Sequence, residues 1–370
     1  MIARSDIVQR TVEVVGSKLC PKERYTVGVE IENILHDHNF QRIPANRNGR
    51  FSSADLKDQL EHLNEQAGIS PVLSIEPGGQ MEYGSRPYAN LHEMNEEWQT
   101  YLTHLVQICH EEDLTLLDLS MEPIHPPEVV PLIDSKKYQL MYRVFAALGE
   151  SGSWIMKNST SVQVNLDYAS LEEASRLAYI VDCLQPFLSL IFANSPFLNG
   201  RTTGERNIRI EAWDRTDPSR CGSLLDHGIY NPARVVEEFA QRIMDAPTIF
   251  TVTPSGDVNS FDGSLGEWLG HLGKTGELLH AHMLTALHQI FTHVRFKNIL
   301  EARVPDRPPF GYELAPAAFL TGLLRVPEVT GRLYETVESW SPETRREVNK
   351  KGLTLSLSQE AFDGGSFLTW

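Results

Sequence analysis

Cysteine is scarce in this sequence, and long apolar runs are missing altogether. The cysteines form no Cys-x-x-Cys pair and lie far apart, at Cys20, Cys109, Cys183 and Cys221. Neither a zinc ribbon nor a disulfide framework is expected from that spacing in a chain of 370 residues, so we interpret all of them as free thiols. No segment approaches the roughly 18 apolar residues that a membrane-spanning helix requires.

Positive charge is also in short supply. The formal net charge is −16, which argues against nucleic acid as a partner because phosphate backbones attract Lys and Arg patches. The N-terminal residues lack the charged-then-apolar layout of a signal peptide. We therefore expect a cytoplasmic protein that acts on small molecules and binds neither membrane nor nucleic acid. Its oligomeric state is left open by the sequence.

What is present is a core-forming composition without an evident linker. Hydrophobic residues make up 41% of the chain, enough for a large core, and we expect a single domain over residues 1–370. Gly- and Pro-rich segments at 253–266 and 304–311 are interpreted as loops. Apolar periodicity predicts helices at about 53–67, 89–112, 134–149, 170–193, 232–244, 276–292 and 313–325.

Four segments alternate between apolar and polar residues and so predict β-strands. They cover residues 26–32, 80–83, 161–167 and 295–304. Each has one apolar face and one face of carboxylates, amides or guanidinium groups. Either those polar faces look at water, as in many antiparallel sheets, or they converge on one concave surface. Their preference for Glu, Gln, Asn and Arg keeps the second interpretation open.

The polar faces carry a candidate metal site. Glu30 and Glu32 lie on one strand face with Cα atoms about 6.5–7 Å apart, a spacing that suits two carboxylates sharing a metal. Glu82 and Glu301 are further candidate oxygen ligands, and Gln163 is a neutral one. Hard oxygen donors of this kind are typical of Mg²⁺, whereas zinc sites favour His and Cys.

Two arginines and a glycine-rich turn complete the set of candidates. Arg209 and Arg303 suit phosphate, because a guanidinium group is always charged and can bind two oxygens at once. The Glu-Pro-Gly-Gly-Gln run at 76–80 can bring backbone close to a ligand, although a plain type II turn uses paired glycines too. No GxxxxGK[ST] phosphate loop is present. The His-Asp-His run at 36–38 is interpreted as a polar turn and not as a metal site.

Five blocks of this sequence resemble, in the same order, blocks of the plant and proteobacterial type of glutamate–cysteine ligase. The resemblance extends over residues 25–325, which leaves 326–370 as an expected C-terminal helical extension. The blocks are 27–32 (similar to the family's GxExE strand), 75–82 (its EPGGQ signature), 161–167 (its TVQVNLD block), 193–197 followed by Arg209, Trp213, Asp217 and Arg220 (its ANSPF segment and the stretch after it), and 300–303 (its LExR strand).

The resemblance implies a glutamine-synthetase-like α+β fold, in which helices pack outside a curved antiparallel sheet or partial barrel. It also implies an ATP-dependent ligase with Mg²⁺ as cofactor. The γ-carboxylate of glutamate attacks the γ-phosphate of ATP, and the amine of cysteine captures the resulting γ-glutamyl phosphate. The residues carried over are Glu30, Glu32, Glu82, Gln163 and Glu301 as metal ligands, Arg303 and Arg209 at the transferring phosphoryl group, and Gln80, Asn165, Glu76 and Lys157 for substrate or nucleotide.

The chain departs from the family's pattern at two positions. Asn158 stands where the family often has Arg, with Lys157 beside it, and Asn207 stands where the family usually has Ser. A lost Arg can alter recognition of a substrate carboxylate, and Lys157 is a point charge rather than a bidentate fork. Three hypotheses therefore stay open: a glutamate–cysteine ligase, a relative with the same acyl-phosphate chemistry but another amine or carboxylate, and an inactive relative with a binding or regulatory role.

Overall fold

An antiparallel sheet organises the chain in the computed structural model, which describes residues 3–149 and 151–354. The strands of the whole chain, including short two-stranded pairs outside this sheet, are β1 (Val27–His36), β2 (Val72–Ile75), β3 (Met81–Gly84), β4 (Thr115–Leu117), β5 (Val162–Leu166), β6 (Phe197–Leu198), β7 (Arg201–Thr202), β8 (Cys221–Gly222), β9 (Thr251–Val252), β10 (Val258–Asn259), β11 (Phe291–Thr292), β12 (Val294–Phe296) and β13 (Leu300–Ala302).

The main sheet has seven strands in the order β12-β13-β5-β1-β3-β2, and β4 pairs with the C-terminal end of β1. Every pairing within it is antiparallel. Among the described residues, the outer strands β12 and β2 do not pair with each other, so the sheet stays open. This confirms the predicted α+β class and matches a partial barrel rather than a closed one.

Helices account for most of the remaining described residues. They cover the apolar side of the sheet and also form one wall of the cavity on its polar side. They are α1 (Arg4–Val15), α2 (Ser53–Gln66), α3 (Leu91–Glu111), α4 (Lys136–Leu148), α5 (Ser151–Asn158), α6 (Leu171–Ile191), α7 (Ile208–Asp214), α8 (Val235–Ile243), α9 (Leu265–Thr275), α10 (His280–Leu287), α11 (Ala315–Leu324), α12 (Pro327–Glu338) and α13 (Pro342–Thr354).

Strand register decides which side chains meet. Val27, Val29 and Ile31 of β1 are buried at 5%, 1% and 0% exposure, and they alternate with Glu30 and Glu32. Because successive side chains on a strand point to opposite faces, the two glutamates share the other face. The register places residue 32 opposite residue 82, and residue 30 opposite residue 163. The predicted convergence of polar strand faces is thus a consequence of pairing.

The apolar face of the sheet is covered by helices. Helix α6 packs on β12 and β13, α11 on β1 and β5, and α2 on β2. Helix α3 adds an aromatic cluster over β3, where the Tyr83 ring centroid lies 5.1 Å from that of Trp98 and 4.7 Å from that of Tyr101. This burial of large side chains is the main source of stability for such a sheet.

Most predicted helices are present within a few residues of their expected bounds, and α2 begins with a side-chain cap. The Ser52 hydroxyl accepts a hydrogen bond of 3.3 Å from the Asp55 amide, as an N-cap does. Helices α1, α5, α7 and α9 were not predicted. The predicted helix at 276–292 is wrong in extent, because α10 is shorter and β11 follows it. The predicted loop at 253–266 contains β10 and the first residues of α9.

The prediction of one strand over residues 295–304 is wrong. The segment is a hairpin of β12 and β13, in which Arg295 stands directly opposite Glu301. The turn between them contains no Gly or Pro, the residues by which a turn is usually recognised. Directly opposed residues share a face, so Arg295 and Glu301 lie on the same face of the sheet.

The C-terminal part of the chain is helical as far as it is described. Helix α13 packs on α6, and a buried ion pair joins Arg345 to Asp182. Residues 355–370 of the predicted extension lie outside the described residues. All cysteines carry free thiols. Among the described helices, none is both long and apolar enough to cross a membrane.

Candidate active site

The polar face of the sheet forms the floor of a cavity of about 280 Å³. Helices α4, α5 and α7 and strand β11 supply the opposite wall. Acids, bases and aromatic rings share this space, which fits the functional interpretation of the strand faces. Its lining includes Glu30, Glu32, Glu76, Gln80, Glu82, Lys137, Tyr138, Met141, Met156, Ser161, Gln163, Arg209, Trp213, Phe250, His288, Phe291, Arg295, Lys297 and Arg303.

Three carboxyl groups in the cavity resist ionisation. Burial and the neighbouring Glu82 carboxylate raise the pKa of Glu32 to about 7. Burial and Glu32 raise the pKa of Glu76 to about 7. Burial, Glu76 and Glu30 raise the pKa of Glu82 to about 8. Buried carboxylates that repel one another are stabilised by a bound cation.

Each carboxylate is held in place by neighbours on its own sheet. Glu32 accepts hydrogen bonds from the Ser161 amide at 2.7 Å and from the Gln163 side-chain amide at 3.2 Å. Glu82 accepts one of 2.6 Å from the Ser74 hydroxyl. Such partners fix the orientation of groups that bind a metal or substrate.

Glu30 is held by Asn165, whose side-chain amide donates to it at 3.1 Å. The Lys297 ammonium lies 3.5 Å away. Among the described residues, both contacts use Oε1 of Glu30, and the Glu82 contact with Ser74 uses Oε1 of Glu82. The second oxygen of each glutamate therefore stays available to a ligand.

This donor set fits Mg²⁺, which is bound through one or two carboxylates together with phosphate oxygens. Glu30, Glu32 and Glu82 supply hard oxygens on one face, as predicted. Glu76, predicted to bind substrate or nucleotide, lies in the same group, and its carboxylate accepts a hydrogen bond of 3.0 Å from the Tyr138 hydroxyl. The cavity thus has more carboxylates than the strand pattern alone indicates.

Glu301 is placed differently from its prediction as a metal ligand. Its carboxylate is fully buried and binds the Arg295 guanidinium through two contacts, of 2.5 and 3.0 Å. Arg303 lies 2.9 Å and Lys297 3.4 Å from Oε1. Burial opposes ionisation, but these three cations hold the pKa of Glu301 well below its usual range. A carboxylate that neutralises three cations must give them up before it can ligate a metal, so the structure makes Glu301 their anchor.

Gln163 also departs from its predicted role. Its side-chain oxygen, the atom that would ligate a metal, accepts a hydrogen bond from Arg303, and its nitrogen donates to Glu32. Gln163 therefore links an acid of the cavity to a base. No such link is visible in the sequence, because the two partners lie on strands 131 and 140 residues away.

Arg303 is the predicted phosphate ligand whose placement fits best. Burial alone lowers its pKa, but Glu301, Glu30 and Glu32 raise it above the usual value, so its charge is permanent. The guanidinium carbon lies 5.9 Å from the ring centroids of Trp213 and Phe291.

Arg209 lines the same cavity but is held by backbone. It donates to the carbonyls of Val304 at 3.0 Å and Arg303 at 3.1 Å, and it pairs with Asp306 at 3.4 Å. These contacts fix the end of β13, which carries Arg303 into the cavity. Arg209 thus acts on the site in part through Arg303.

Three of the predicted binding residues use their side-chain nitrogens in contacts within the protein. The Gln80 side chain donates to the carbonyls of Met156 and Ser159 and accepts from the Gly78 amide. Asn165 holds Glu30 and is not among the residues that line the cavity. The Lys157 ammonium donates to the Val130 carbonyl at 2.9 Å and lies 4.9 Å from the Tyr142 ring centroid, also outside the cavity lining. Its predicted contact with substrate is therefore not supported by this placement.

Several residues of the cavity have no signal in the strand pattern. Lys137 and Tyr138 occupy the first turn of α4, and burial and then Glu76 raise the pKa of Tyr138. His288 follows α10, and burial together with Arg295 and Lys297 lowers its pKa to about 3. A helix was expected around Lys137 and Tyr138, but periodicity does not indicate which sheet face a helix end meets.

Glutamate–cysteine ligases of plants are similar in sequence to this chain. Glutamate–cysteine ligase A, a chloroplastic protein of Oryza sativa subsp. indica, is 27% identical over 379 residues, which cover 98% of this chain and 75% of the relative. The chloroplastic glutamate–cysteine ligase of Arabidopsis thaliana is 27% identical over 357 residues, covering 93% of this chain and 67% of the relative.

A solved structure shares the fold. The crystal structure of glutamate–cysteine ligase from Francisella tularensis in complex with AMP aligns with a TM-score of 0.51 at 14% sequence identity, covering 89% of this chain and 70% of that one. Residues 26–355 match glutamate-cysteine ligase family 2. The family and the ligase class predicted from five sequence blocks are thereby confirmed: this chain belongs to glutamate–cysteine ligase family 2.

Proposed function

We propose that this chain joins the γ-carboxylate of glutamate to the α-amine of cysteine at the expense of ATP, with Mg²⁺ as cofactor. The observation that carries the proposal is the placement of Glu30, Glu32 and Glu82 opposite Arg303 in one cavity. A set of acids for a cation and a permanently charged guanidinium for phosphate is what phosphoryl transfer from a metal nucleotide requires. Family membership supports the same chemistry.

The reaction has two steps. The γ-carboxylate oxygen of glutamate forms a bond to the γ-phosphorus of ATP, and the bond from that phosphorus to the bridging oxygen of ADP breaks. The neutral amine of cysteine then attacks the acyl carbon of γ-glutamyl phosphate, phosphate leaves, and the amine gives up one proton. The products are γ-glutamylcysteine, ADP and phosphate.

We assign the predicted metal site to Glu30, Glu32 and Glu82. When bound there, Mg²⁺ offsets the charge of the carboxylates and of the nucleotide phosphates. We assign Arg303 to the phosphoryl oxygens, because Glu301 and Gln163 hold its Nη1 in the cavity.

The remaining charges suit amino-acid substrates. Glu76, hydrogen-bonded to Tyr138, is a partner for an α-ammonium group. Lys137 stands at the cavity with its ammonium 4.7 Å from the Tyr138 ring centroid and 5.9 Å from that of Phe250, and we assign it to a substrate carboxylate. Asn158 stands where the family often has Arg, and its side-chain amide donates to the His125 carbonyl, so we do not assign a substrate contact to it.

The test is ADP release by purified protein with ATP, Mg²⁺ and glutamate, with each amino acid or amine added in turn. Release stimulated by cysteine, with γ-glutamylcysteine seen by mass spectrometry, is the expected result. Stimulation by a different amine would keep the mechanism and change the product. No glutamate-dependent turnover with any acceptor would refute the proposal. A cytosolic location remains a prediction, since the relatives named above are chloroplastic proteins.

A further inference from the structure

A buried network of charged and polar side chains lies beside the cavity and takes no part in the mechanism above. Its members are Arg42, which follows β1, His36 at the end of β1, and Glu122 and His125 in the segment after β4. The Arg42, His36 and Glu122 side chains are 5%, 2% and 0% exposed. Charged groups are rarely buried at this level without a partner, so the network calls for an explanation.

Arg42 joins two segments that both reach the cavity. Its Nη2 donates to the Gly78 carbonyl at 2.7 Å, and its Nη1 donates to the Lys157 carbonyl at 3.2 Å. Gly78 belongs to the turn at 76–80, whereas Lys157 belongs to the last turn of α5. A guanidinium group with donors in a fixed plane is suited to hold two carbonyls at once.

The turn that Arg42 holds carries Glu76, Pro77 and Gln80 into the lining of the cavity. It is closed by the Glu76 amide donating to the Gln80 carbonyl at 2.8 Å and by the Gly79 amide donating to the Glu76 carbonyl at 2.9 Å. Gly78 packs so tightly on α5 that a Cβ atom there would overlap the Lys157 backbone. The position of the Glu76 carboxylate therefore depends on how the turn is seated on α5.

Glu122 holds Arg42 in this position. Its Oε2 lies 3.4 Å from Nη1 of Arg42 and 2.8 Å from Nε2 of His36. Its Oε1 accepts from the backbone amides of Ile124 and His125 at 3.0 and 3.1 Å. A buried carboxylate with this many donors is rigid, and it fixes the guanidinium that it faces.

A metal site is the alternative explanation. The ligating atoms of His36, Glu122 and His125 all lie within 4.8 Å of one another. Arg42, however, shares Oε2 of Glu122 with His36, and its charge already balances the carboxylate. A divalent cation added to this buried group would leave uncompensated positive charge, which is costly. The geometry therefore favours a hydrogen-bond network over a metal site.

We propose that Arg42, held by Glu122, is a positioning residue that seats the turn at 76–80 on α5 and so places the Glu76 carboxylate for the ammonium group of an amino-acid substrate. The role of Glu76 rests on the proposed function. The packing of the turn on α5 is independent of that function, and hydrogen exchange measures it directly.

The experiment compares Arg42→Gln, Arg42→Lys and Glu122→Gln with Arg47→Gln as matched control. Arg47 lies in the same connecting segment, but its side chain is 56% exposed and pairs with Asp55 and Asp58 at the surface. Hydrogen exchange of the full-length protein is followed by mass spectrometry over peptides that contain residues 76–80 and over peptides of β1 and β5. Kinetics are measured with ATP and both amino acids.

We expect Arg42→Gln and Glu122→Gln to speed exchange of the Glu76 and Gly79 amides about tenfold, the effect of losing one hydrogen bond to a charged group, with β1 and β5 unchanged. KM for one amino-acid substrate rises by a similar factor, while kcat and KM for ATP stay within threefold. Arg42→Lys restores part of the protection, since a single ammonium can still reach one carbonyl. Arg47→Gln behaves as wild type.

Three results would overturn the assignment. The first is a rate of hydrogen exchange at residues 76–80 that is the same in Arg42→Gln as in the wild type. The second is faster exchange over the whole sheet with a fall in kcat alone, which means a general loss of folded protein. The third is one equivalent of Zn²⁺ in the purified protein that disappears in His125→Gln, because Glu122 would then ligate an ion. Absence of turnover in the wild type refutes the proposed function, and the exchange data then decide the seating of the turn.

Discussion

The two faces of the central sheet are built from the same strands, but one buries apolar side chains and the other brings carboxylates together. On one face, residues such as Val29, Ile31 and Val164 are 0–1% exposed and pack under helices. On the other face, Glu30, Glu32 and Glu82 crowd together, and burial and repulsion raise the pKa values of Glu32 and Glu82. The first face stabilises the fold, whereas the second costs stability until a cation and substrates bind.

Adjacent residues of one strand therefore have different roles, one in the stability of the fold and the next in activity. Removing an apolar side chain lowers the free energy of unfolding and leaves the chemistry of the folded protein intact. Removing the charge of Glu32 or Glu82, whose pKa values are raised by burial and repulsion, is expected to end the chemistry and to leave the fold as stable as before, or more stable. Stability and activity are expected to separate by residue parity, and each prediction below tests this separation.

The largest effect is expected for Glu82→Gln. It removes a carboxylate from the metal site, and we expect turnover to fall by about 1,000-fold, in the range found when a preorganised electrostatic group is lost. The melting temperature without ligands stays the same or rises, because the repulsion from Glu76 and Glu30 is relieved. ADP release and thermal unfolding of the same preparation measure both quantities.

The matched control for Glu82→Gln is Glu93→Gln, an exposed residue in the first turn of α3. It leaves turnover unchanged. A clear drop in the melting temperature of Glu82→Gln would break the comparison between the two faces, since it would make Glu82 part of the stabilising structure.

Arg303→Lys is expected to have the next largest effect. Lys keeps the charge but loses the planar guanidinium group, whose Nη1 donates to Glu301 and Gln163 and whose other nitrogens can bind phosphoryl oxygens. We expect kcat to fall about 100-fold with KM for glutamate within threefold, measured by steady-state kinetics. A rise in KM alone would make Arg303 a residue for ground-state binding.

The pH dependence of stability sharpens the comparison further. The pKa of Glu82 is raised to about 8 in the folded protein, above the usual value of about 4.3 for an unfolded chain. Between pH 8.5 and 7 the folded form therefore takes up protons that the unfolded form does not, so stability without ligands rises as the pH falls through this window. We expect the melting temperature of the wild type to increase from pH 8.5 to 7.

This increase should be smaller in Glu82→Gln, which lacks one of the titrating groups. Histidines contribute little between pH 8.5 and 7, because their usual pKa lies below this range. Other titrating groups are the same in both proteins, so their contribution cancels when the melting temperatures of wild type and variant are compared. If the melting temperatures of the two proteins changed equally with pH, the assignment of raised pKa values to carboxyl groups of the polar face would be contradicted. Saturating Mg²⁺ and ATP should also weaken the dependence of the wild-type melting temperature on pH, because a bound cation favours the ionised carboxylates.

The smallest effect is expected for Ile31→Val, between the two glutamates of β1. Deleting one buried methylene costs about 0.5–1.5 kcal/mol of the free energy of unfolding, measured by denaturant titration. KM and kcat of the folded protein stay at wild-type values. A loss of activity larger than the loss of folded protein would show that the two faces are mechanically coupled.

The sequence predicted the site more completely than it predicted the contacts within it. Alternation placed Glu30, Glu32 and Glu82 on polar strand faces, and the structure brings those faces together. It could not show that Glu301 neutralises Arg295, Arg303 and Lys297, because a side chain's partners depend on strand order and register. The segment at 295–304 was wrongly predicted as one strand for a different reason, because its turn lacks Gly and Pro.

Other parts of the site were invisible in the sequence for a related reason. Lys137 and Tyr138 enter the cavity from a helix, and periodicity states which helix face is apolar without saying what that helix packs against. Lys157 has the right charge at the right place in the sequence, yet its ammonium is directed to Val130 and Tyr142. Arg42 lies in none of the five sequence blocks that resemble the family, so the sequence did not indicate its role.

The sequence by itself determined the acidic strand faces and the positions of most helices, because those properties follow from local residue order and side-chain period. The family and the α+β class followed from the resemblance of five sequence blocks to a known family. Only the tertiary structure decided which acids stay available for a cation, which are consumed by buried arginines, and which residues hold the turn at 76–80. The reason is electrostatic: a carboxylate's charge state and role depend on burial and on charges a few ångströms away, and strand pairing and turn geometry decide which charges those are.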